Sequence, residues 1–365
     1  MDFNFSEEQD ALRAAVRGAL ADGVDDRVLD LGDDAAGITD ELWGSWADLG
    51  WTGLLVPSAH GGLGLGLVDM VVVCEEMGRL PTPGPFWSSA GLATIAARRL
   101  GADGLLPDLA AGTARGTVAL EEGSARDPFA GLATTATETN DGWTLAGIKA
   151  IVPDGHTADW VIVAARTNTG PCAFLVQNPA AEAVPGLDPT RKIARLELTA
   201  TPARKLTDAP SDEEVLRRIA DDAAVLLCAE LTGVSERALE MATEYAGQRV
   251  QFGRPIGSFQ AVKHIAAEML QQLELARVGA HYAAWASDTE AEDREQAAAM
   301  AKAYAGEAAV AVTGDAIQIH GAVGFTWEAR VHLLYKRAKV NDLLLGQQSW
   351  QRQRVADLVL GPPTG

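Results

Sequence analysis

The chain has 365 residues, 47% of them hydrophobic and 22% charged, which is enough to bury a large core in two or three structural regions. Its 50 acidic residues outnumber the 30 basic ones and give a net charge of −20, so nucleic acid and anionic membranes are not expected as partners. The three cysteines form no C-x-x-C pair, so we expect no disulfide framework or metal site, and a reducing cytoplasm fits best. We expect neither a signal peptide nor a membrane span, because the N-terminus is acidic and no segment stays apolar for long enough.

The first third of the chain carries helical patterns. Ser6, followed three residues later by Gln9, predicts a capping box at the start of a helix with apolar residues at helical spacing. Further helical runs cover residues 41–49 and 68–78. Between them lies a turn region at 54–66 that is rich in proline and glycine.

The residue composition changes near Gly116, after which short segments are rich in β-branched and aromatic residues. Asn140-Asp141-Gly142 lies between two of these segments and predicts a hairpin turn. Strands are expected at residues 117–120, 133–139, 143–148, 160–164 and 173–177.

From Ser211 the helical period returns and holds to the end of the chain. Helices are expected over residues 226–241, 262–276, 298–311 and, as the last one, 333–345. The chain is therefore predicted to be mainly α with a β insert. We expect an N-terminal helical domain at 1–113, a small antiparallel β domain at 114–207 and a C-terminal helical bundle at 208–365.

The most informative stretch runs from Arg249 to Gln260 and reads R-V-Q-F-G-R-P-I-G-S-F-Q. It is typical of a helix that ends at a glycine-rich turn, with an arginine just before the turn and a glutamine just after it. An arginine placed there can bind a diphosphate through two parallel hydrogen bonds, and Gly253 and Gly257 let backbone approach a ligand. The spacing fits equally well an ordinary helix C-terminus, where the helix dipole favours a basic residue.

A second glycine-rich stretch covers Gln318–Glu328 and reads Q-I-H-G-A-V-G-F-T-W-E. Gly321 and Gly324 allow close backbone contact, and Gln318 offers an amide for hydrogen bonding. Taken alone, this stretch also fits a plain turn between helices. His320 within it fits a packed, hydrogen-bonded histidine better than a ligand contact.

In this order, the patterns R-x-x-F-G-x-x-x-x-x-x-Q and Q-x-x-G-x-x-G-F resemble the C-terminal bundle of the acyl-CoA dehydrogenase family. The resemblance spans essentially all 365 residues, with further matches at Phe3–Val16, Leu49–Gly62, Glu75–Arg79 and Trp143–Lys149. It implies FAD at a dimer interface, where one half-site of each chain reaches across to the diphosphate and adenosine of the neighbour's FAD. In this chain that half-site corresponds to Arg249, Gln251, Phe252, Gly253, Gln260, Gln318, Gly321 and Gly324.

The other half-site, which in the family holds the chain's own flavin ring, departs from the family pattern. After its first strand the family's β domain has T-E-P-x-A-G-S-D, whereas residues 120–127 here read L-E-E-G-S-A-R-D. The aromatic-Ile-Thr/Ser that follows G-x-K in the family is replaced after Lys149 by A-I-V-P-D, which has no hydroxyl at that place. The arginine that the family carries near acyl-CoA falls at Ala224.

A carboxylate is also missing from both positions where the family carries its catalytic base. The family's reaction removes an α-proton from the thioester while the β-hydrogen leaves as hydride to the flavin, and such a base is worth roughly 10²–10⁴-fold in rate. The usual glutamate falls at Leu345 and the alternative position falls at Ala223. Glu230 and Asp342 are the remaining candidates, although a paired or solvated carboxylate is the more ordinary role for each.

The sequence therefore predicts the base-lacking subunit of a heteromeric acyl-CoA dehydrogenase, of the heterotetrameric kind that acts on bulky acyl-CoAs in lipid or steroid catabolism. The resemblance implies a second acyl-CoA dehydrogenase subunit, an acyl-CoA substrate and an electron-transferring flavoprotein as acceptor. Two alternatives stay open. One is a self-sufficient homo-oligomeric dehydrogenase that uses Glu230 or Asp342 as an unusual base. The other is a non-catalytic scaffold with the same fold, which the intact segment Arg249–Gln260 argues against.

Overall fold

The computed structural model describes residues 6–24, 27–123, 127, 129 and 131–361. Residues 3–5 of the first family match and residues 124–126 of the flavin-loop comparison lie outside this described part. Two compact units are formed from non-contiguous segments of the chain. The first comprises 1–28, 71–82 and 224–365, and the second comprises 29–70 and 83–223. The region boundaries 1–113, 114–207 and 208–365 stay a prediction.

Helices account for most of the described residues. In chain order they are α1 (Glu7–Gly23), α2 (Val28–Asp33), α3 (Asp40–Asp48), α4 (Leu67–Arg79), α5 (Thr94–Arg99), α6 (Leu106–Ala110), α7 (Glu213–Gln248), α8 (Gln260–Asp288), α9 (Arg294–His320), α10 (Val331–Leu343) and α11 (Gln348–Leu360). A π-helical segment covers Phe86–Ala93. No helix in the described part of the chain is long and apolar enough to cross a membrane.

The predicted capping box at the start of α1 is confirmed. The backbone N–H of Gln9 donates to Ser6 Oγ at 3.2 Å, and the N–H of Ser6 donates to the Gln9 side-chain oxygen at 3.0 Å. Two of the donors that a helix N-terminus leaves unpaired are thus satisfied locally.

The backbones of α4 and α7 touch within the first unit, at two glycines. A Cβ at Gly78 would overlap the carbonyl oxygen of Glu230, and a Cβ at Gly233 would overlap that of Glu75. Only glycine permits so close a crossing of two helices. The crossing fixes the part of α7 that carries Glu230.

The second unit contains a mostly antiparallel sheet. Its strands are β1 (Gly116–Ala119), β2 (Thr135–Thr139), β3 (Gly142–Pro153), β4 (Trp160–Arg166), β5 (Pro171–Gln177), β6 (Ala181–Val184) and β7 (Ile193–Lys205). The order is β1-β4-β2-β3-β7-β5, with β6 on β7 and a further pairing of β4 with β5. A small antiparallel β domain was expected, and most pairings are antiparallel, but β1 and β2 each pair with β4 in parallel. Long connections between these strands permit the parallel pairing.

The inward faces of the strands bury one continuous apolar cluster, which includes Leu145, Val161, Val163, Phe174 and Leu196. The predicted hairpin at residues 140–142 joins β2 to β3, with Thr139 opposite Gly142. The strands β6 and β7 were not predicted from the sequence.

The C-terminal end of the bundle differs from expectation. We expected the last helix to run to Leu345, but α10 ends at Leu343 and α11 follows it. Lys302 Nζ donates to the Asp342 carbonyl at 2.8 Å, and the Gln351 amide donates to the Leu345 carbonyl at 3.0 Å. These side chains satisfy carbonyls that an ending helix leaves free, so the chain can turn here.

Candidate functional site

A tight hairpin follows the end of α7 and carries the first predicted motif. Strands β8 (Val250–Gln251) and β9 (Arg254–Pro255) pair through the two-residue turn Phe252-Gly253, whose φ angles are 53° and 76°. Two positive φ values are those of a type I′ turn, and only the second position has the glycine that such a turn favours. The N–H of Ile256 donates to the Arg249 carbonyl at 2.8 Å and closes the hairpin at its base. The helix end predicted from the sequence is confirmed, and the hairpin is an addition to it.

The hairpin tip projects an aromatic ring outward. The Phe252 side chain is 91% exposed, and its ring meets the Phe259 ring edge-on at 6.2 Å. The Arg254 guanidinium lies 4.1 Å from the centre of the Phe259 ring, so a cation–π contact braces the tip. Arg254 and Phe259 were not singled out from the sequence, although an arginine and an aromatic residue flanking a turn are a signal for such a contact.

Gly257 packs against α7, and the ligand-approach role expected of it stays a prediction. A Cβ there would lie 3.0 Å from the Ala246 carbonyl oxygen in α7, a distance that real side chains seldom show. Gly253, by contrast, has open space around its Cα and the positive φ that the turn needs.

The second motif lies at the C-terminus of α9. Gly321 follows the last helical residue with φ 64°, and residues 321–325 form a 3-10 turn. A Cβ at Gly324 would lie 2.9 Å from the Ile317 carbonyl oxygen, so this glycine allows the turn to fold back on α9. Gly321 has open space where a Cβ would stand, and Gln318 on the last turn of α9 is exposed.

The two motifs lie together within the first unit. The ring of Tyr245, near the end of α7, stacks on His320 with 4.6 Å between ring centroids and 22° between planes. Tyr245 was not predicted from the sequence, but it precedes Arg249 by one helical turn and its carbonyl accepts the Arg249 N–H at 2.8 Å. His320 is packed and hydrogen-bonded, as expected from the sequence.

The predicted cofactor residues face outward. All of them except the buried Gly324 are exposed in the single chain: Arg249, Gln251, Phe252, Gly253, Gln260, Gln318 and Gly321. In the described part of the chain, neither Arg249 nor Arg254 forms an ion pair. On a chain of net charge −20, two guanidinium groups without an acidic partner, one of them also in contact with Phe259, favour the binding of an anion. A diphosphate suits this donor set, because arginine binds phosphate oxygens in pairs and the open backbone at Gly321 allows close approach.

The two positions where the family carries its base are buried and apolar. Leu345 is 4% exposed. Its backbone φ is 56°, a strained value for residues other than glycine or asparagine. Ala223 is buried, and its carbonyl accepts the Trp87 indole N–H at 3.2 Å. Neither side chain can take a proton.

The two substitute carboxylates are both placed inside the first unit. Glu230 is 3% exposed and forms an ion pair with the fully buried Arg337. Arg337 also donates to the Thr82 carbonyl at 3.1 Å. Asp342 is buried with its Oδ1 against Gly306, and this oxygen has no hydrogen-bond partner among the described residues. Their surroundings give Glu230 a structural role and leave Asp342 sealed in the core.

In the second unit, an ion pair lies where the resemblance places flavin contacts. The fully buried Lys149 donates to Glu122 Oε1 at 2.7 Å and to the Leu120 carbonyl at 3.2 Å. Glu122 also accepts the backbone N–H groups of Ala133 and Thr134, at 2.5 and 2.9 Å. The polar groups beside β3 are therefore hydrogen-bonded to one another.

Burial decides the pKa shift of Lys149 but not that of Glu122. Burial lowers the pKa of Lys149 to about 8, although the charge and hydrogen bond of Glu122 act to raise it. Desolvation acts to raise the pKa of Glu122, but the charge and hydrogen bond of Lys149, with bonds from Thr134 and Ala133, outweigh it and leave the pKa lowered. Among the described residues, no cluster of three His, Cys, Asp or Glu side chains could hold a metal ion.

Two family models match the chain. They are the N-terminal domain of acyl-CoA dehydrogenase over residues 6–113 and the C-terminal domain of acyl-CoA dehydrogenase over residues 214–360. A curated relative, acyl-CoA dehydrogenase IpdE2 of Mycolicibacterium smegmatis, is 32% identical over 353 residues, which is 96% of this chain and 98% of the relative.

Two solved structures are similar over nearly the whole chain. The Tcur3481-Tcur3483 steroid ACAD variant has a TM-score of 0.89 and 33% identity, covering 97% of this chain and 98% of that one. The ChsE4-ChsE5 complex of Mycobacterium tuberculosis has a TM-score of 0.89 and 28% identity, with 100% of both chains covered.

Proposed function

The chain belongs to the acyl-CoA dehydrogenase family, and on that footing we propose that it is the base-lacking subunit of a heteromeric, FAD-dependent acyl-CoA dehydrogenase. A second subunit of the same family would supply the carboxylate base and the flavin-ring contacts. This chain would complete that subunit's FAD site from across the interface.

The outward-facing half-site is the observation that carries the proposal. Arg249 would pair with the diphosphate, Phe252 would lie against the ring system at the hairpin tip, and Gln318 with the Gly321 backbone would contact the adenosine end. FAD, when bound, supplies the acceptor for the β-hydride. Arg249, Phe252 and Gln318 of this chain would bind and orient it, and their side chains are exposed in the single chain.

Three features of the chain's own half-site support the need for a partner. Leu345 and Ala223 cannot act as bases, and Glu230 is held by Arg337. Lys149, on the strand where the family contacts the flavin, is paired with Glu122. A homo-oligomer of this chain would thus lack a proton acceptor at every site.

The comparisons support a heteromeric assembly and a bulky substrate. One similar structure is a complex of two named chains, and another is named as a steroid ACAD. We therefore propose a heterotetramer that oxidises a bulky acyl-CoA, such as one with a steroid side chain, with an electron-transferring flavoprotein as acceptor. The three cysteines are buried and free, which supports a cytoplasmic, reducing location.

An Arg249→Ala variant tests the half-site directly. The chain is co-purified with its candidate partner dehydrogenase, FAD is removed, and rebinding is followed by flavin fluorescence. Losing a charged hydrogen-bond donor to a diphosphate should raise the Kd by about 10- to 100-fold. Arg195→Ala, which removes a half-buried arginine of β7 paired with Glu197, should leave the Kd unchanged. Equal affinity in Arg249→Ala and wild type would overturn the proposed half-site.

A further inference from the structure

The ends of α7 and α9 meet through two stacked rings, one just before the first cofactor motif and one within the second. Tyr245 lies four residues before Arg249, and His320 lies two residues after Gln318. Their ring centroids are 4.6 Å apart with 22° between planes, and the His320 side chain is 7% exposed. The stack is the ring contact that joins the two motifs in the described part of the chain.

Each ring is also tied to its own backbone. His320 Nδ1 lies 2.7 Å from the Ala316 carbonyl oxygen, and because a carbonyl only accepts, Nδ1 carries the proton. A Cβ added at Gly324 would lie 3.1 Å from the His320 Cβ, so the 3-10 turn packs closely against the same residue. The Tyr245 carbonyl in turn receives the Arg249 N–H at 2.8 Å.

We propose that His320 is a positioning residue, which sets the distance between the hairpin of Arg249 and the turn of Gln318 so that both reach one FAD molecule. This role rests on the proposed half-site. His320 itself need not touch the cofactor. It acts through Tyr245 on the hairpin and through its own backbone on the turn. Two ligand-binding segments on separate helix ends need such a brace, because binding falls steeply when one is displaced.

Three variants test the brace in the co-purified complex. His320→Ala and Tyr245→Leu each remove the stack, and an aromatic pair of this kind is worth up to about 10-fold in a binding constant. We expect both variants to raise the FAD Kd by about 10-fold, and the double variant to be no weaker than either single one. His320→Phe keeps the stacked ring and should stay within about 3-fold of wild type. Should one stack-removing variant not fold, the other carries the same test from the opposite helix.

Two further readouts separate positioning from general loss of structure. ADP carries the diphosphate and adenosine but no flavin. Its inhibition constant against FAD binding should rise by the same factor as the FAD Kd. Turnover at saturating FAD should stay at the wild-type value, whereas a general loss of structure would lower it. The inference is overturned if His320→Ala binds FAD as wild type does, or if His320→Phe is as weak as His320→Ala. If Arg249→Ala also binds FAD normally, the half-site itself is wrong.

Discussion

The Glu230→Gln variant separates a structural carboxylate from a catalytic one. Glu230 is 3% exposed and pairs with Arg337, which is fully buried and also donates to the Thr82 carbonyl. The substitution keeps the side-chain size but removes the charge that neutralises the guanidinium in this pair. Removing one partner of a buried ion pair costs about 3–5 kcal/mol, a large share of the roughly 5–15 kcal/mol that stabilises a typical domain.

Urea unfolding of the lone chain, followed by tryptophan fluorescence, should show this loss as a lower midpoint. Adding Arg337→Met to Glu230→Gln removes both charges and should recover most of the lost stability, because no uncompensated charge stays in the core. The complex that carries Glu230→Gln should keep its turnover wherever it is folded. An unchanged midpoint would refute the energetic argument. A folded complex that lost 10²-fold or more in turnover would make Glu230 the base and favour the self-sufficient dehydrogenase.

Three other predictions follow from the same structure. Gly78→Ala and Gly233→Ala should each destabilise the first unit by about 1–3 kcal/mol because their Cβ atoms overlap a facing carbonyl, whereas Gly18→Ala, with open space in α1, should be neutral or stabilising; equal melting temperatures would contradict the close crossing. The pKa of Lys149 is lowered by burial from 10.5 to about 8, so the unfolded chain binds more protons between those values. The unfolding free energy of wild type relative to Lys149→Met should therefore rise from pH 8 to pH 10.5 by up to about 3 kcal/mol in urea titrations. A difference between the two proteins that does not change with pH would contradict the lowered pKa. Phe252→Gly should stabilise the lone chain by up to about 1 kcal/mol, because φ 53° suits glycine, while weakening FAD binding to the complex; a parallel loss of both would contradict the exposed-ring role.

Local features of the fold were predictable because each depends on near neighbours in sequence. The capping box needs only Ser6 and Gln9, and the turn between β2 and β3 needs only residues 140–142. The parallel pairing of β1 with β4 was not predictable in the same way, because it brings Gly116 beside Trp160 across a long connection. The end of α10 at Leu343 likewise depends on Lys302, whose bond to the Asp342 carbonyl spans 40 positions, together with Gln351 of the next helix.

The candidate site shows the same division. The motif around Arg249 and the turn at Gly321 are each a continuous stretch of sequence, and the family resemblance identified both. The contacts that explain the site join distant residues: Tyr245 with His320, and Glu230 with Arg337 across 107 positions. No spacing rule connects such pairs, because they are set by how α7, α9 and α10 pack in three dimensions. The roles of the eight cofactor residues stay a prediction until binding is measured.

Flavin content per chain is the measurement that tests the central claim most directly. The chain is purified alone and, separately, with a co-expressed partner dehydrogenase, and flavin absorbance is compared with protein mass. The account predicts a colourless lone chain and a yellow complex with about one FAD per two chains, which an acyl-CoA bleaches. A lone chain that binds one FAD per subunit and is bleached by an acyl-CoA would contradict it.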